Sequence, residues 1–282
     1  MTRTPRLVLE GLAFPEGPRW RAGELWFSDM HAHEIVAMKP DGSRRTILTH
    51  DHPVSGLGWL PDGRLLFVSM DDRKLMRREE GGQIVQHADL SGVATWHAND
   101  MVVDAQGRAY VGNFGFSLHP PEDPKPARLA RVDPDGRTHV AAGDMMFPNG
   151  SVITPDGKTL IVGESWGRRL SAFDIAADGA LSNRRVWADT QPAVPDGICL
   201  DAEGAIWIAS PPTNEAVRFR EGGEALERVA CECGAYACML GGADRKTLFI
   251  LTAESADPAV CKANRTGRIE AVAVDAPGAG LP

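Results

Sequence analysis

Oxygen-bearing side chains recur in one local context of this sequence, between a proline and a glycine that are both typical of turns. Glu16, Asn149 and Asp196 each lie between such a pair, in the segments FPEGPRW, FPNGS and VPDGI. Asn99 lies at the matching place of a further segment, WHAN (96–99). Any one of these residues alone would be an ordinary turn residue, but their shared register predicts a common role.

Two carboxylates and two amides suit a hard divalent cation, because they offer oxygen atoms, a net charge of −2 and neither thiolate nor imidazole. Calcium fits best, since it accepts about six to eight oxygen ligands in flexible geometry. Magnesium, manganese or a zinc ion with water would also be compatible with the same side chains. The sequence therefore predicts one divalent-metal site formed by these four residues.

Six short apolar segments with the character of β-strands recur along the chain, and five of them follow a turn that ends in glycine. They begin at positions 25, 65, 109, 159, 205 and 247, so successive copies are 40 to 50 residues apart. Further turns such as Asp41-Gly42 and Asp135-Gly136 lie between the copies and indicate roughly four strands per repeat. Six four-stranded sheets bury their faces by packing around an axis, so the pattern predicts an all-β, six-bladed β-propeller. A pair of sandwiched sheets would not produce this regular spacing.

The repeats also explain how residues far apart in the chain can meet. The position just before each strand-like segment is occupied, in register, by Glu16, Ser55, Asn99, Asn149, Asp196 and approximately Ala237. Equivalent positions of propeller blades lie on a circle around the central axis, so we expect these residues at one end of the channel. We also expect one propeller domain over residues 1–282, with Arg6–Glu10 supplying a strand that closes the last blade.

Composition narrows the class of protein. The 282 residues carry a formal charge of −8 without a basic block, which argues against nucleic acid or an anionic membrane surface as a partner. No apolar run reaches the roughly 18 residues of a membrane span, and the N-terminus lacks the apolar stretch of a secretory signal. Five cysteines, an odd number, are then expected as reduced thiols in a cytoplasmic protein. The expected partner is a small-molecule substrate, and the oligomeric state stays open.

Several longer motifs carry a family resemblance over essentially the whole chain. They are FPEGPRW (14–20), NDMVVDAQGRAYVGN (99–113), FPNGSVITPDGKTLIVGES (147–165), RRLSAFDI (168–175) and VPDGICLDAEGAIWIAS (194–210). The sequence resembles the SMP-30/gluconolactonase family of six-bladed propellers, which includes regucalcin-like proteins. The resemblance implies a lactone hydrolase with one divalent metal, often calcium. It implies metal ligation by Glu16, Asn149 and Asp196, and metal or substrate contact by Asn99.

The sequence departs from this family at His97. Sugar-lactonase members similar to regucalcin often have an arginine two residues before the asparagine, where it binds substrate hydroxyls. Here that position is His97, preceded by Trp96. We therefore expect a less polar or differently shaped substrate, with Trp96, Phe114 and Phe116 as candidate pocket residues beside His97 and Asn99.

Hydrolysis at such a site needs a polarised carbonyl, a water molecule and a proton acceptor. Asp196 is the first candidate for the base, and the resemblance implies that it is both ligand and base. His97 is the alternative, because an imidazole pKa near neutrality suits proton transfer, although a structural histidine is an ordinary finding at a strand end.

Two further functions are compatible with the same pattern. One is a phosphotriester hydrolase similar to diisopropyl fluorophosphatase, whose propeller site resembles this one. The other is a calcium-binding propeller without catalytic turnover. The sequence favours the lactonase, with the general base to be decided between Asp196 and His97.

Overall fold

The computed structural model describes residues 3–281, and twenty-four strands in that range form six antiparallel four-stranded sheets. The chain begins with β1 (Arg6–Leu12), which belongs to the last sheet. Blade 1 contains β2 (Pro15–Arg21), β3 (Glu24–Asp29), β4 (Glu34–Met38) and β5 (Arg44–Thr49). Blade 2 contains β6 (Val54–Trp59), β7 (Leu65–Ser69), β8 (Lys74–Arg78) and β9 (Ile84–Asp89). Blade 3 contains β10 (Ala98–Val103), β11 (Ala109–Asn113), β12 (Ala127–Val132) and β13 (Thr138–Met145).

The second half of the chain repeats the arrangement. Blade 4 contains β14 (Pro148–Ile153), β15 (Thr159–Glu164), β16 (Arg169–Ile175) and β17 (Leu181–Asp189). Blade 5 contains β18 (Ile198–Leu200), β19 (Ile206–Ser210), β20 (Glu215–Phe219) and β21 (Ala225–Ala230). Blade 6 contains β22 (Gly234–Gly241), β23 (Thr247–Ala253) and β24 (Gly267–Ala273), with β1 as its outermost strand.

The six sheets form a closed ring. The inner strands β2, β6, β10, β14, β18 and β22 each contact the inner strands of both neighbouring blades, and β22 contacts β2 again. Blade 6 joins the two ends of the chain, because β1 pairs antiparallel with β24 and places Arg6 opposite Ala271. The predicted six-bladed, all-β propeller and its closure by an N-terminal strand are thus confirmed, although β1 continues to Leu12.

The hairpin turns follow local chemistry. In Pro61-Asp62-Gly63, the glycine adopts a φ of +90°, which side chains with a Cβ rarely tolerate, and Asp62 accepts a hydrogen bond from the amide of Arg64. The equivalent turn before β23 has no glycine at that place, and Arg245 adopts the positive φ of 58° instead. This turn was also the least typical one in the sequence.

Apolar side chains fill the space between blades, because most strands are covered on both faces. All five residues of β7 are buried, for example, and Trp207 of β19 is completely buried. Not every tryptophan belongs to this core, since Trp166 is 53% exposed. All five cysteines are free thiols. Within residues 3–281, no helix has the length and apolar character needed to cross a bilayer.

Short helices supplement the blades at one end of the channel. A 3-10 helix spans Met30–Ala32, another spans Pro211–Thr213, and α1 spans Pro258–Asn264. Asp257 caps α1 by accepting hydrogen bonds from the two amides at its start. The first 3-10 helix contacts α1, so blades 1 and 6 are linked at this end.

Candidate metal and active site

The four residues predicted as metal ligands lie at the same end of the inner strands. Glu16, Asn99 and Asn149 each occupy the second position of an inner strand, in blades 1, 3 and 4, and Asp196 lies just before the inner strand of blade 5. The first three are 4–6% exposed, and all four line one cavity. The structure therefore brings these residues together, although they are spread over five blades' length of chain.

Glycines beside these residues let the inner strands approach closely. A Cβ atom on Gly150 would lie 2.6 Å from the backbone oxygen of Asp196, and one on Gly197 would lie 2.7 Å from the Cα of Ala237. The amide of Gly150 donates to the Asp196 carbonyl at 3.1 Å, which joins blades 4 and 5 directly. Gly150 and Gly197, which follow two of the candidate ligands in the sequence, therefore let the inner strands lie close together where the side-chain oxygens converge.

A chain of hydrogen bonds joins the side chains across four blades. Ser55 Oγ donates to Asn99 Oδ1 at 3.0 Å, and Asn99 Nδ2 donates to Asn149 Oδ1 at 3.0 Å. Asn149 Nδ2 then donates to Asp196 Oδ1 at 2.5 Å. A carbonyl oxygen has two lone pairs, so the amide oxygens can accept these bonds and still offer an electron pair to a cation.

Hydrogen bonds compensate only in part for the desolvation of the two carboxylates: Glu16 accepts one from the next backbone amide at 2.8 Å, and Asp196 accepts one from Asn149. Burial raises the pKa of Glu16 well above its usual range, and the nearby Asp196 raises it further. Burial likewise raises the pKa of Asp196 to about 8, although its hydrogen bond from Asn149 acts in the opposite direction. Arg19, a cation that acts on Glu16, is itself paired with Asp100. Two desolvated carboxylates beside two amide oxygens fit a divalent cation, which would restore the ionised form of both acids.

Asp100 follows Asn99 in the chain but has a structural role. Its carboxylate lies 2.6 Å from the guanidinium of Arg19, and both side chains are at most 6% exposed. Arg19 also donates to the carbonyls of Pro18 and Leu57. This buried pair connects blades 1, 2 and 3 directly beneath the candidate ligands, and it holds Asp100 away from the cavity.

The cavity above the four oxygens has a volume of about 260 Å³. Its floor is formed by the candidate ligands, and its walls carry aromatic and apolar side chains from several blades. Leu118 and His119 reach it from the proline-rich segment 117–126, and α1 contributes Pro258 and Lys262. The segment and α1 therefore border the mouth of the cavity.

Trp96, His97 and Phe114 form one wall. The ring centroids of Trp96 and His97 are 5.2 Å apart with planes 14° apart, and those of His97 and Phe114 are 5.9 Å apart. Partial burial lowers the pKa of His97, so its imidazole is neutral near pH 7. In that form it can pack against aromatic rings or accept a proton.

Phe116, the remaining candidate pocket residue, lies elsewhere. It is 2% exposed and is not among the residues that line the cavity. Its ring packs edge-on against Phe147 and against Trp166, at centroid distances of 5.9 and 5.5 Å. Phe116 thus packs behind the cavity wall, whereas Phe147 lines the cavity itself.

Sequence reasoning missed several wall residues, notably Phe14, Phe147 and Tyr236. A signal for two of them was present, because Phe14 and Phe147 stand two residues before Glu16 and Asn149, as His97 does before Asn99. All three stand just before an inner strand and line the cavity, although Phe147 has a positive φ of 61° and is not extended.

A second group of possible ligands lies outside the floor. His52, Asp71 and Asp72 bring their ligand atoms within 4.8 Å of one another. His52 Nδ1 is 2.7 Å from Asp71 Oδ1, and Lys74 Nζ is 3.1 Å from Asp72 Oδ2. Since Lys74 already supplies a positive charge and the pair His52–Asp71 is about 40% exposed, these contacts are those of ordinary surface ion pairs.

The chain is similar to a known protein family and to individual proteins of known name. The family model described as the SMP-30/Gluconolactonase/LRE-like region matches residues 14–254. A pentonolactonase from Haloferax volcanii is 26% identical over 88% of this chain and 84% of its own length. A 6-deoxy-6-sulfogluconolactonase from Pseudomonas putida is 26% identical over 95% of this chain and 93% of its own.

Among solved structures, a calcium-binding protein, regucalcin, from Agrobacterium tumefaciens superposes with a TM-score of 0.82 at 20% identity. The superposition covers 100% of this chain and 97% of that one, so the two proteins share the whole propeller fold. The family match covers the predicted ligands from Glu16 to Asp196. The chain belongs to the SMP-30/gluconolactonase/LRE-like family.

Proposed function

We propose that this protein is a metal-dependent hydrolase of a lactone or a related cyclic ester. The observation that carries the proposal is the pair of carboxylates, the buried Glu16 and the half-buried Asp196, that converge with two amides on the floor of a small apolar cavity. Relatives named pentonolactonase and sulfogluconolactonase support a lactone as substrate. A small molecule also matches the size of the cavity.

We propose that Glu16, Asn149 and Asp196 hold the cation and that Asn99 contacts the cation or the substrate. Calcium is the preferred ion, because the donors are all oxygens and their two charges balance a divalent ion. A relative with the same fold is described as calcium-binding, which supports this choice. Magnesium, manganese and zinc are the alternatives that a metal titration has to compare.

When bound, the cation would polarise the carbonyl of the ester and stabilise the negative charge that develops on its oxygen. Asp196 is the proposed base: its carboxylate takes a proton from water as the water oxygen bonds to the carbonyl carbon. The ester C–O bond then breaks, and the proton passes to the departing alkoxide, which gives the hydroxy acid. Asn149 holds the Asp196 carboxylate in place through its 2.5 Å hydrogen bond.

His97 is the alternative base, because it lines the cavity and is neutral near pH 7. Its position between two aromatic rings favours a role in the wall over proton transfer. A reducing, cytoplasmic environment is part of the proposal and agrees with the free state of all five cysteines.

The test is hydrolysis before and after metal removal. The purified protein is dialysed against a chelator, and acid release from a panel of lactones is followed with a pH indicator, with and without each divalent metal. Restoration of hydrolysis by one metal supports the proposal. Metal binding without turnover of any ester would indicate a binding protein, and faster cleavage of a phosphotriester than of every lactone would indicate a phosphotriesterase.

A further inference from the structure

We propose that the substrate is an apolar lactone, and in particular one fused to an aromatic ring, rather than a polyhydroxylated sugar lactone. This inference rests on the proposed lactonase activity and specifies its substrate class. It is carried by the chemistry of the cavity walls, which is independent of the metal ligands on the floor.

Aromatic rings from four blades surround the space above the floor. Phe14 packs edge-on against Tyr236 at a centroid distance of 4.6 Å, and Phe114 stacks on Phe147 at 4.5 Å. Trp96 extends the second surface through His97. Each ring packs on another ring, so the two surfaces offer an apolar lining for a flat aromatic group.

Other apolar side chains close the gaps between these surfaces. Met30, Pro53 and Met70 line the cavity from blades 1 and 2, and Leu118 lines it from the proline-rich segment. Methionine side chains adapt to the outline of an aromatic ligand and make favourable sulfur–ring contacts. The walls therefore bury an apolar substituent on most sides.

A sugar lactone makes a different demand, since each of its hydroxyls needs a hydrogen-bond partner once it leaves water. Among the described residues that line the cavity, the walls above the floor contain no carboxylate, amide or arginine. The amides on the floor are already engaged with one another and with Asp196. A substrate rich in hydroxyls would thus lose hydration without full compensation.

The remaining polar wall residues do not supply that compensation. His31 is buried in the first 3-10 helix, and burial lowers its pKa to about 4, so it is neutral. His119 and Lys262 are exposed at the mouth, away from the ring of a substrate whose carbonyl reaches the floor. His97 and Tyr236 present mainly their rings, and Tyr236 adds a single hydroxyl. The polar groups are too few and too peripheral to recognise several hydroxyls at once.

The experiment compares two six-membered lactones with alkoxide leaving groups, 3-isochromanone, which carries a fused benzene ring, and D-glucono-1,5-lactone. Rates are measured on the calcium-loaded protein and corrected for uncatalysed hydrolysis. We expect kcat/KM to be about 100-fold higher for 3-isochromanone, because its ring is buried and no hydroxyl is left unpaired. Equal values, or a preference for the gluconolactone, would overturn the inference.

Substitutions in the cavity wall test which residues produce the preference for 3-isochromanone over the gluconolactone. Trp96→Ala and Phe114→Ala should each raise KM for 3-isochromanone about 10-fold and reduce its preference over the gluconolactone. Trp59→Ala is the matched control, because Trp59 is a half-buried tryptophan at the end of β6 opposite the cavity and does not line it. Retained calcium affinity and an unchanged melting temperature verify that the variants are folded. A preference that survives both wall substitutions would refute the assignment.

A binding measurement separates this inference from the proposed activity. The lactam analogue of 3-isochromanone, 1,4-dihydro-3(2H)-isoquinolinone, resists hydrolysis, and its binding is followed by calorimetry. Binding to the wild type that weakens in Trp96→Ala supports the apolar site even if no lactone is hydrolysed, in which case only the hydrolase proposal fails. Hydrolysis of the gluconolactone without binding of the lactam would instead retain the hydrolase and overturn the substrate class.

Discussion

Asn149 donates a hydrogen bond from Nδ2 to Oδ1 of Asp196 over 2.5 Å, across the boundary between blades 4 and 5. The two residues are also linked through the backbone, since Gly150 donates to the Asp196 carbonyl. This double connection fixes the half-buried Asp196 carboxylate at the end of the channel, near Glu16. The geometry of the site and the stability of the ring are therefore coupled.

Asp196→Asn should abolish hydrolysis, with a loss of about 10²-fold or more, because it removes the proposed base and one of the two charges that attract the cation. In chelator, the same variant should have a higher melting temperature than the wild type, since a desolvated carboxylate is replaced by a neutral group. Calorimetry with calcium and thermal melts check both effects. Glu80→Gln, which removes an exposed charge, is the control, and a full calcium response in Asp196→Asn would contradict the assignment.

The stability of the metal-free protein should fall as the pH rises toward 8. The pKa of Asp196 is raised from 3.8 to about 8, so the folded state binds a proton that the unfolded state releases at lower pH. Its contribution to the free energy of unfolding is complete below about pH 4 and is lost as the pH rises through about 8. Urea unfolding of wild type and Asp196→Asn in chelator, from pH 5 to 8, isolates this contribution. Parallel curves for the two proteins would argue against a raised pKa.

His97→Ala should raise KM for the preferred lactone and leave kcat within about threefold, because His97 acts as part of the aromatic wall. The reason is that its ring stacks on Trp96 and packs at a tilt against Phe114. Steady-state kinetics at several pH values, together with calcium titration, make the measurement. A loss in kcat of about 100-fold with unchanged calcium affinity would instead assign the role of general base to His97.

Asp100→Ala should destabilise the protein by about 3–5 kcal/mol, because it leaves the buried guanidinium of Arg19 without its partner. The double variant Arg19→Met/Asp100→Leu should recover a large part of this loss, since no charge then remains buried. Urea unfolding measures both. If Asp100→Ala proved as stable as the wild type, the pair would not hold the inner strands together.

Gly150→Ala should weaken calcium binding and hydrolysis, because its Cβ would lie 2.6 Å from the Asp196 carbonyl oxygen and would force blades 4 and 5 apart. Gly81→Ala is the control: a Cβ there meets nothing within 4 Å and the glycine has an ordinary φ. Calcium titrations of both variants, with melts to verify folding, provide the comparison. Normal calcium affinity in Gly150→Ala would show that the close approach of the strands is not required.

The repeat and the candidate ligands were accessible from sequence because both depend on local chemistry. Turns such as Pro61-Asp62-Gly63 need a residue that accepts positive φ, so glycine spacing reveals the hairpins and hence the number of blades. The shared register of the candidate ligands follows from the same repeat, because each lies at the equivalent position before a strand-like segment. One residue per repeat was enough to anticipate that distant oxygens would share one end of the channel.

The walls of the cavity were decided by packing between blades, which local patterns do not encode. Phe116 and Phe147 are both phenylalanines near the channel end, yet Phe116 is buried behind the wall and Phe147 lies on it. Asp100 turns from the cavity because Arg19, 81 positions earlier, pairs with it from another blade. The sequence alone determined the architecture and the shared register of the candidate ligands, since turn chemistry and periodicity act between chain neighbours. Only the tertiary structure decided which rings face the cavity, because that depends on how side chains from separate blades exclude one another.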